Sequence, residues 1–104
     1  MRTLVAGDPW TALADPTRRA VLAQVAECPR SVEQIARALP VSRPAVSQHL
    51  RVLADANLVM SRREGRCHIY RLRPEGLKEP RAELERFWIQ ALENFKRIAE
   101  EAAE

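Results

Sequence analysis

The sequence predicts a mainly α-helical domain that carries one β-hairpin, with its elements in the order α-α-α-α-β-β-α. Three observations predict this fold class. Helix start signals precede several short apolar-periodic segments, residues 59–72 change to alternating periodicity, and residues 81–101 carry one long apolar stripe. A chain of 104 residues has the size of one domain. We therefore expect residues 1–104 to form a single domain.

The composition excludes several classes of protein. Hydrophobic residues make up 46% of the chain and charged residues 30%, so the chain has enough apolar surface to fold. No apolar run reaches the roughly 18 residues of a membrane helix, and residues 1–6 lack the apolar core of a signal peptide. Two cysteines, Cys28 and Cys67, are too few for a disulfide scaffold and fit a reducing compartment. We expect a cytoplasmic protein that does not contact a membrane.

Two Asp-Pro pairs predict the starts of the first two helices. Asp8 and Asp15 are suited to cap a helix N-terminus, and the proline that follows each of them fits the first helical position. Pro29 ends the second helix near Cys28, because the residue before a proline avoids the helical conformation.

Residues 31–54 have the spacing of a helix-turn-helix. Ser31 and Gln34 predict a capping box at the start of a short helix, which stops at Pro40. Ser42 then caps a longer helix whose apolar residues recur on one face: Val46, Leu50 and Leu53. A short helix, a tight turn and a longer helix are typical of this motif.

The rest of the sequence predicts a wing and a long helix. Residues 59–72 alternate around a turn at Gly65 and predict a β-hairpin, which after a helix-turn-helix is a wing. Residues 74–80 are expected to be a linker. The long helix over residues 81–101 carries an apolar stripe that includes Leu84, Phe87, Trp88, Ala91, Leu92, Phe95 and Ile98.

Positive charge is concentrated in the middle of the chain. The formal net charge is +3, but residues 30–73 contain nine arginines and only three carboxylates, a net charge of +6. The guanidinium group binds phosphates and base edges through two parallel hydrogen bonds, so this segment is suited to nucleic acid. A basic solvated surface is the alternative that composition leaves open.

The longer helix of the helix-turn-helix presents groups that can contact DNA. With its apolar seam turned inwards, Gln48 and Arg51 point outwards, where they can pair with adenine and with guanine or phosphate. An ordinary amphipathic helix is the alternative, and the arginines of the adjacent hairpin favour DNA. For His49 the pattern favours a packed ring over a phosphate contact. The candidate DNA-contacting residues are Arg43, Ser47, Gln48, His49, Arg51, Arg62, Arg63 and Arg66.

Four segments resemble the ArsR family of bacterial winged helix-turn-helix repressors: residues 13–19, 46–53, 57–59 and 65–72. The resemblance implies a homodimer that binds double-stranded operator DNA and represses its own or a neighbouring operon. It also implies that the first and last helices form the dimer interface. The candidate interface residues are Trp10, Leu84, Phe87, Trp88, Ala91, Leu92, Phe95 and Ile98.

The sequence departs from the metal-sensing members of the family that it resembles. Those members carry a Cys-x-Cys pair before the recognition helix, where this chain has Ser31-Val32-Glu33, or Asp and His in the last helix, which residues 81–104 lack. We therefore expect no metal and no cofactor. The alternative is a redox-responsive or metal-responsive repressor that acts through Cys28 and Cys67, and a small-molecule inducer stays open as a further partner.

Two other functional classes fit the sequence poorly. Ser47 and His49 lie two apart on one helix and cannot face each other, and no carboxylate is placed to orient the histidine, so we do not expect an enzyme. A winged helix that binds only proteins would carry an acidic or apolar outer face, which Arg43, Gln48 and Arg51 argue against.

Overall fold

The computed structural model describes residues 7–103 and confirms the predicted fold class. The expectation about a signal peptide concerns residues 1–6, which lie outside the described residues. In chain order the elements are α1 (Pro9–Leu13), α2 (Pro16–Glu27), β1 (Arg30–Ser31), α3 (Val32–Ala38), α4 (Arg43–Asp55), β2 (Val59–Glu64), β3 (Cys67–Leu72), a 3-10 helix (Pro74–Leu77) and α5 (Lys78–Ala103).

Both Asp-Pro pairs begin helices, as predicted. The Asp8 side chain accepts a hydrogen bond from the backbone N–H of Trp10 at 2.7 Å, and the Asp15 side chain accepts from those of Thr17 and Arg18 at 2.8 and 3.1 Å. The hydrogen bond from the Arg18 backbone is the main cause that lowers the pKa of the Asp15 carboxyl, and partial burial opposes it. Such bonds favour the charged form of the acid.

Asp15 is expected to make folding stability depend on pH in the acid range. Because its folded-state pKa lies below its ordinary value of 3.8, the carboxylate stabilises the fold above that pH. This contribution is lost as the pH falls through the folded-state pKa. Asp15→Asn keeps an acceptor oxygen but no charge, so its Tm deficit relative to wild type should shrink below about pH 4.

Thermal unfolding followed by circular dichroism over a range of acid to neutral pH measures this difference. Asp55→Asn, which removes an exposed carboxylate at the end of α4, is the control. A Tm deficit of Asp15→Asn that stays constant with pH would contradict the expectation.

Two consecutive arginines of α2 cap the end of α1. The Arg18 guanidinium donates to the first two carbonyl oxygens of residues 11–14, at 3.4 and 3.2 Å, and Arg19 donates to the last two, at 2.7 and 3.3 Å. The last turn of a helix leaves carbonyl oxygens without partners inside the helix. Of these four, only that of Thr11 also accepts from a backbone N–H in the described residues, that of Ala14 at 3.3 Å. The two side chains therefore fix α1 against α2, a role that sequence analysis did not assign to them.

The helix-turn-helix forms as predicted. At the start of α3, Ser31 Oγ accepts from the backbone N–H of Gln34 at 3.2 Å, and Gln34 Oε1 accepts from that of Ser31 at 2.9 Å. Ser42 caps α4 by accepting from the backbone N–H of Ala45 at 3.3 Å. The apolar seam of α4 is fully buried in the core, where it meets Val21 and Val25 of α2, Ile35 of α3 and Leu58.

Helix α4 ends in a Schellman motif. Asn57 adopts a left-handed conformation with φ of 61°, its N–H donates to the carbonyl of Ala54, and the N–H of Leu58 donates to that of Leu53 at 2.9 Å. Gly76, at the approach to α5, packs directly on this turn. A Cβ atom on Gly76 would overlap the carbonyl oxygen of Asn57, so the contact requires glycine.

The wing is part of a three-stranded antiparallel sheet in the order β1-β3-β2. Strands β2 and β3 are joined by a two-residue turn in which Gly65 has a φ of 63°, the conformation that favours glycine there. Strand β1 pairs with Tyr70 and Ile69. The sequence does not predict β1, because a strand of two residues is too short to show a period.

The linker expected over residues 74–80 is wrong. The chain forms the 3-10 helix instead, and α5 already begins at Lys78, three residues before the expected start. Pro80 is buried in the first turn of α5. A proline is tolerated there because the first N–H groups of a helix have no partner within the helix.

Helix α5 extends from the body of the domain and is exposed along most of its length. The radius of gyration is 18.1 Å, whereas a compact domain of this size has about 13 Å. Seven large hydrophobic side chains of α5 are 51–73% exposed: Leu84, Phe87, Trp88, Ile89, Leu92, Phe95 and Ile98. We call them the α5 apolar face. Within residues 7–103, no helix combines the length and the hydrophobicity that crossing a membrane requires.

Candidate nucleic-acid interface

The outer face of α4 carries the side chains that sequence analysis predicted there. Pro44, Ser47, Gln48 and Arg51 are exposed and line a shallow depression of about 280 Å³. They lie opposite the buried seam because residues three and four apart share one side of a helix. This face is therefore polar and open to a partner.

A groove separates the N-terminal end of α4 from the wing. It has a volume of about 540 Å³ and lies between the starts of α3 and α4 on one side and β3 on the other. We call it the wing groove. Arg43 lines it, and the Arg43 guanidinium lies 3.2 Å from the carboxylate of Glu33. Arg66, at the turn of the hairpin, lines the other side.

The wing arginines do not share one surface. Successive residues of a strand point to opposite sides of a sheet, so Arg62 and Arg63 point in opposite directions. Arg63 lies opposite His68 in the register of β2 with β3. Both lie on the face of the sheet that carries buried Val59 and half-buried Tyr70, which are nearer the base of the hairpin. Arg63 also donates to the carbonyl of Gly65 in the turn at 3.3 Å.

Ion pairs divide the nine arginines of residues 30–73 into two groups. Five lie within 4.0 Å of a carboxylate: Arg30, Arg37, Arg43, Arg71 and Arg73. The other four are exposed and form no ion pair with any residue in the described part of the chain: Arg51, Arg62, Arg63 and Arg66. One of these four is on the outer face of α4 and three are on the wing. All four are among the DNA-contacting residues that the sequence predicts.

The two histidines occupy different environments. His49 is half-buried on α4, near enough to Asp15 that its charge helps to lower the pKa of that carboxyl. This position agrees with a packed ring, and its phosphate contact stays a prediction. His68 is exposed on β3 and lines the wing groove.

The two cysteines are free, exposed and far apart. Continuing the register of β1 with β3 by two residues places Cys28 beside the Leu72 end of β3, whereas Cys67 is the first residue of that strand. Five residues of a strand span about 16 Å, while a disulfide needs Cα atoms within about 7 Å. The geometry therefore does not favour an intrachain thiol switch. Among residues 7–103 no three His, Cys, Asp or Glu side chains come together as metal ligands.

A second predicted surface combines α1 with α5. The indole Nε1 of Trp10 donates to a carboxylate oxygen of Glu83 at 3.1 Å and joins the two helices. All the predicted interface residues of α5 are exposed, and Ala91 lies among them. Ile89, which sequence analysis left out, is exposed at the edge of the same face.

Comparisons with known proteins identify the family. The family described as a helix-turn-helix domain matches residues 13–62. The HTH-type transcriptional regulator Rv2034 of Mycobacterium tuberculosis is 51% identical over 89 residues, which cover 86% of this chain and 83% of that protein. The structure of an ArsR-like transcriptional regulator from Rhodococcus sp. RHA1 is 35% identical with a TM-score of 0.70, over 86% of this chain and 88% of that one. The chain belongs to the ArsR family.

Other ArsR-family comparisons agree in fold. The solution structure of the homodimeric winged helix-turn-helix DNA-binding domain of Mb0332 from Mycobacterium bovis is 31% identical with a TM-score of 0.63, over 78% of this chain and 75% of that one. The chain spans about half the length of several other curated relatives that it matches. The ArsR-family relatives are transcriptional regulators, and the fold of this chain is the DNA-binding winged helix-turn-helix.

Proposed function

We propose that this ArsR-family regulator is a homodimeric repressor that binds an operator of its own or a neighbouring operon in the cytoplasm. The observation that carries the proposal is the set of four exposed arginines that have no carboxylate partner among residues 7–103, on the outer face of α4 and on the wing. Arginines without a carboxylate partner are available to phosphates and bases. No catalytic activity and no cofactor belong to this proposal.

The α5 apolar face supports the dimer. Exposed apolar surface of this extent marks an interaction site, and a second copy of the same face is apolar as well. The hydrogen bond between Trp10 and Glu83 brings α1 to the same side of the molecule. We propose that Trp10 and the exposed α5 residues form the interface. The homodimeric domain of Mb0332 has the same fold.

The two DNA-facing elements are proposed to have separate roles. Gln48 and Arg51, with Arg43 and Ser47 in the first turns of α4, enter the major groove and read bases. The wing arginines lie over the flanking backbone or minor groove, where they bind phosphates. A two-fold dimer then requires two half-sites in an imperfect palindrome.

Metal is not part of the proposed mechanism. Ser31 and Glu33 occupy the position where metal-sensing members of the family carry thiolates, and both side chains have other roles: Ser31 caps α3 and Glu33 pairs with Arg43. We therefore propose a DNA-binding activity that responds to neither metal nor thiol oxidation.

Protection footprinting on the DNA upstream of the protein's own gene tests the proposed function. We expect a protected imperfect palindrome whose half-sites lie about one helical turn, or a small multiple of it, apart. A protein that protects no segment of this DNA, and selects no sequence from a random duplex library, would overturn the proposal.

Arg66→Ala is expected to weaken binding to all DNA sequences alike. Arg66 forms no ion pair with the described residues, so its proposed partner is a phosphate, which carries no sequence information. The slope of log K against log salt should become less steep by about one unit for each lost phosphate contact. Arg73→Ala is the control, because Arg73 is paired with Glu75 at 3.8 Å and lies beyond the opposite end of β3. A change in sequence preference instead of slope would contradict the phosphate assignment.

A further inference from the structure

The wing groove contains one carboxylate among its charged groups. Glu33 lies at its edge together with Arg43, Arg66 and His68. In the proposed complex this groove faces the DNA backbone, because it separates the helix that enters the major groove from the wing. A negative charge at such a position repels phosphates, so the Glu33 carboxylate weakens the attraction of this groove for DNA in general.

Local structure fixes the position of Glu33. It lies in the first turn of α3, between the two residues of the capping box, Ser31 and Gln34. Val32 packs against the core on the other side. The capping box and the packing of Val32 therefore fix the backbone position of Glu33. The Glu33 side chain extends towards Arg43 of α4.

The Glu33 carboxylate binds two arginines. One oxygen lies 3.2 Å from the Arg43 guanidinium, and the other lies 3.8 Å from that of Arg37. The pair with Arg43 connects the two helices of the helix-turn-helix. Because all three side chains are more than half exposed, the ion pairs add little to folding stability.

We propose that Glu33 is a specificity-determining residue that positions Arg43 for the operator and lowers affinity for other DNA. This inference rests on the proposed function. Arg43 is the first residue of α4, and a free arginine at this position binds any phosphate within reach. Held by Glu33, its guanidinium keeps one orientation beside Ser47, so it contributes fully only where the DNA sequence offers a matching base edge.

The test compares two DNA duplexes. The first is a duplex that the wild-type protein selects from a random library, and the second is a mixed-sequence duplex of the same length. Fluorescence anisotropy over a salt series gives the affinity and the salt slope for each. Glu27→Gln is the matched control, because Glu27 forms an arginine pair at 2.8 Å but lies beside the end of the sheet away from the wing turn.

Glu33→Gln is expected to bind the mixed-sequence duplex about three- to tenfold more tightly, with a salt slope steeper by about one to two units per dimer. Its preference for the selected duplex should fall by a similar factor. Glu27→Gln should match the wild type in both measurements. Thermal unfolding of Glu33→Gln should match that of the wild type, since the ion pairs are exposed.

A double-mutant cycle with Arg43→Ala tests whether Glu33 acts through Arg43. If it does, Glu33→Gln should leave the preference between the two duplexes unchanged in the Arg43→Ala background. A similar loss of preference in both backgrounds, or no difference between Glu33→Gln and wild type, would overturn the inference. A wild-type protein that selects no duplex at all would instead overturn the proposed function.

Discussion

Replacing Phe95 with glutamate is expected to convert the proposed dimer into monomers and to remove most of its DNA affinity. Phe95 is 73% exposed, the largest fraction in the α5 apolar face. Burial of a large apolar side chain contributes about 1.5–3 kcal/mol, and a symmetric dimer loses this contribution twice. The dissociation constant of the dimer should therefore rise about 10²- to 10⁴-fold. Monomers bind the two half-sites independently and lose the avidity of the pair.

Sedimentation equilibrium measures this effect directly. At tens of micromolar, wild type should sediment at twice the chain mass of 11.8 kDa, and Phe95→Glu should sediment near the chain mass itself. Gln90→Glu is the control, because it adds the same charge to the same helix about 140° away from Phe95. Wild-type sedimentation as a monomer would contradict the proposed dimer, and a dimeric Phe95→Glu would contradict the proposed interface.

Gln48→Ala is expected to weaken operator binding by about 1–3 kcal/mol per half-site and to relax the preference at one base pair. Gln48 lies at the centre of the exposed face of α4, between Pro44 and Arg51. A glutamine amide both donates to and accepts from adenine in the major groove, and alanine does neither. The loss should therefore depend on the base, unlike the loss expected for Arg66→Ala.

Binding to a panel of single-base variants of the selected duplex measures this preference. Gln90→Ala, which removes an exposed glutamine from α5, is the control and should bind all variants as wild type does. If Gln48→Ala retains both the affinity and the preference of wild type, α4 is not the recognition helix.

Rules that act within a few residues correctly predicted most of the fold. The aspartate and serine caps, the seam of α4 and the glycine turn of the wing each depend on residues close in sequence. The elements that the sequence does not predict depend on contacts between distant segments, or on a helix that accepts a proline in its first turn. Strand β1 exists because it pairs with β3, and the start of α5 includes a proline that sequence analysis placed in a linker.

The sequence predicts the candidate DNA-contacting residues as a group, and their contacts with DNA stay predictions. The individual environments of these side chains follow only from the fold. Sequence alone does not distinguish Arg51 from Arg43, since both lie on the same helix. The fold pairs Arg43 with Glu33, a residue of the preceding helix, and leaves Arg51 without a carboxylate among the described residues. Likewise, two consecutive arginines such as Arg18 and Arg19 are able to bind phosphate. In the fold, however, their guanidinium groups donate to the carbonyls at the end of α1.

The contact between Gly76 and Asn57 has a mechanical consequence. It joins the approach to α5, the proposed dimer helix, to the turn at the end of α4, a helix of 13 residues. A helix of this length is about 20 Å long, so a rotation of about 10° at the contact moves the far end of α4 by about 3.4 Å. That displacement equals the rise of one base pair, about 3.4 Å. The turn at the end of α4 and the approach to α5 are thus packed directly on each other, so a substitution at Gly76 that displaced this turn would shift the far end of α4 relative to α5.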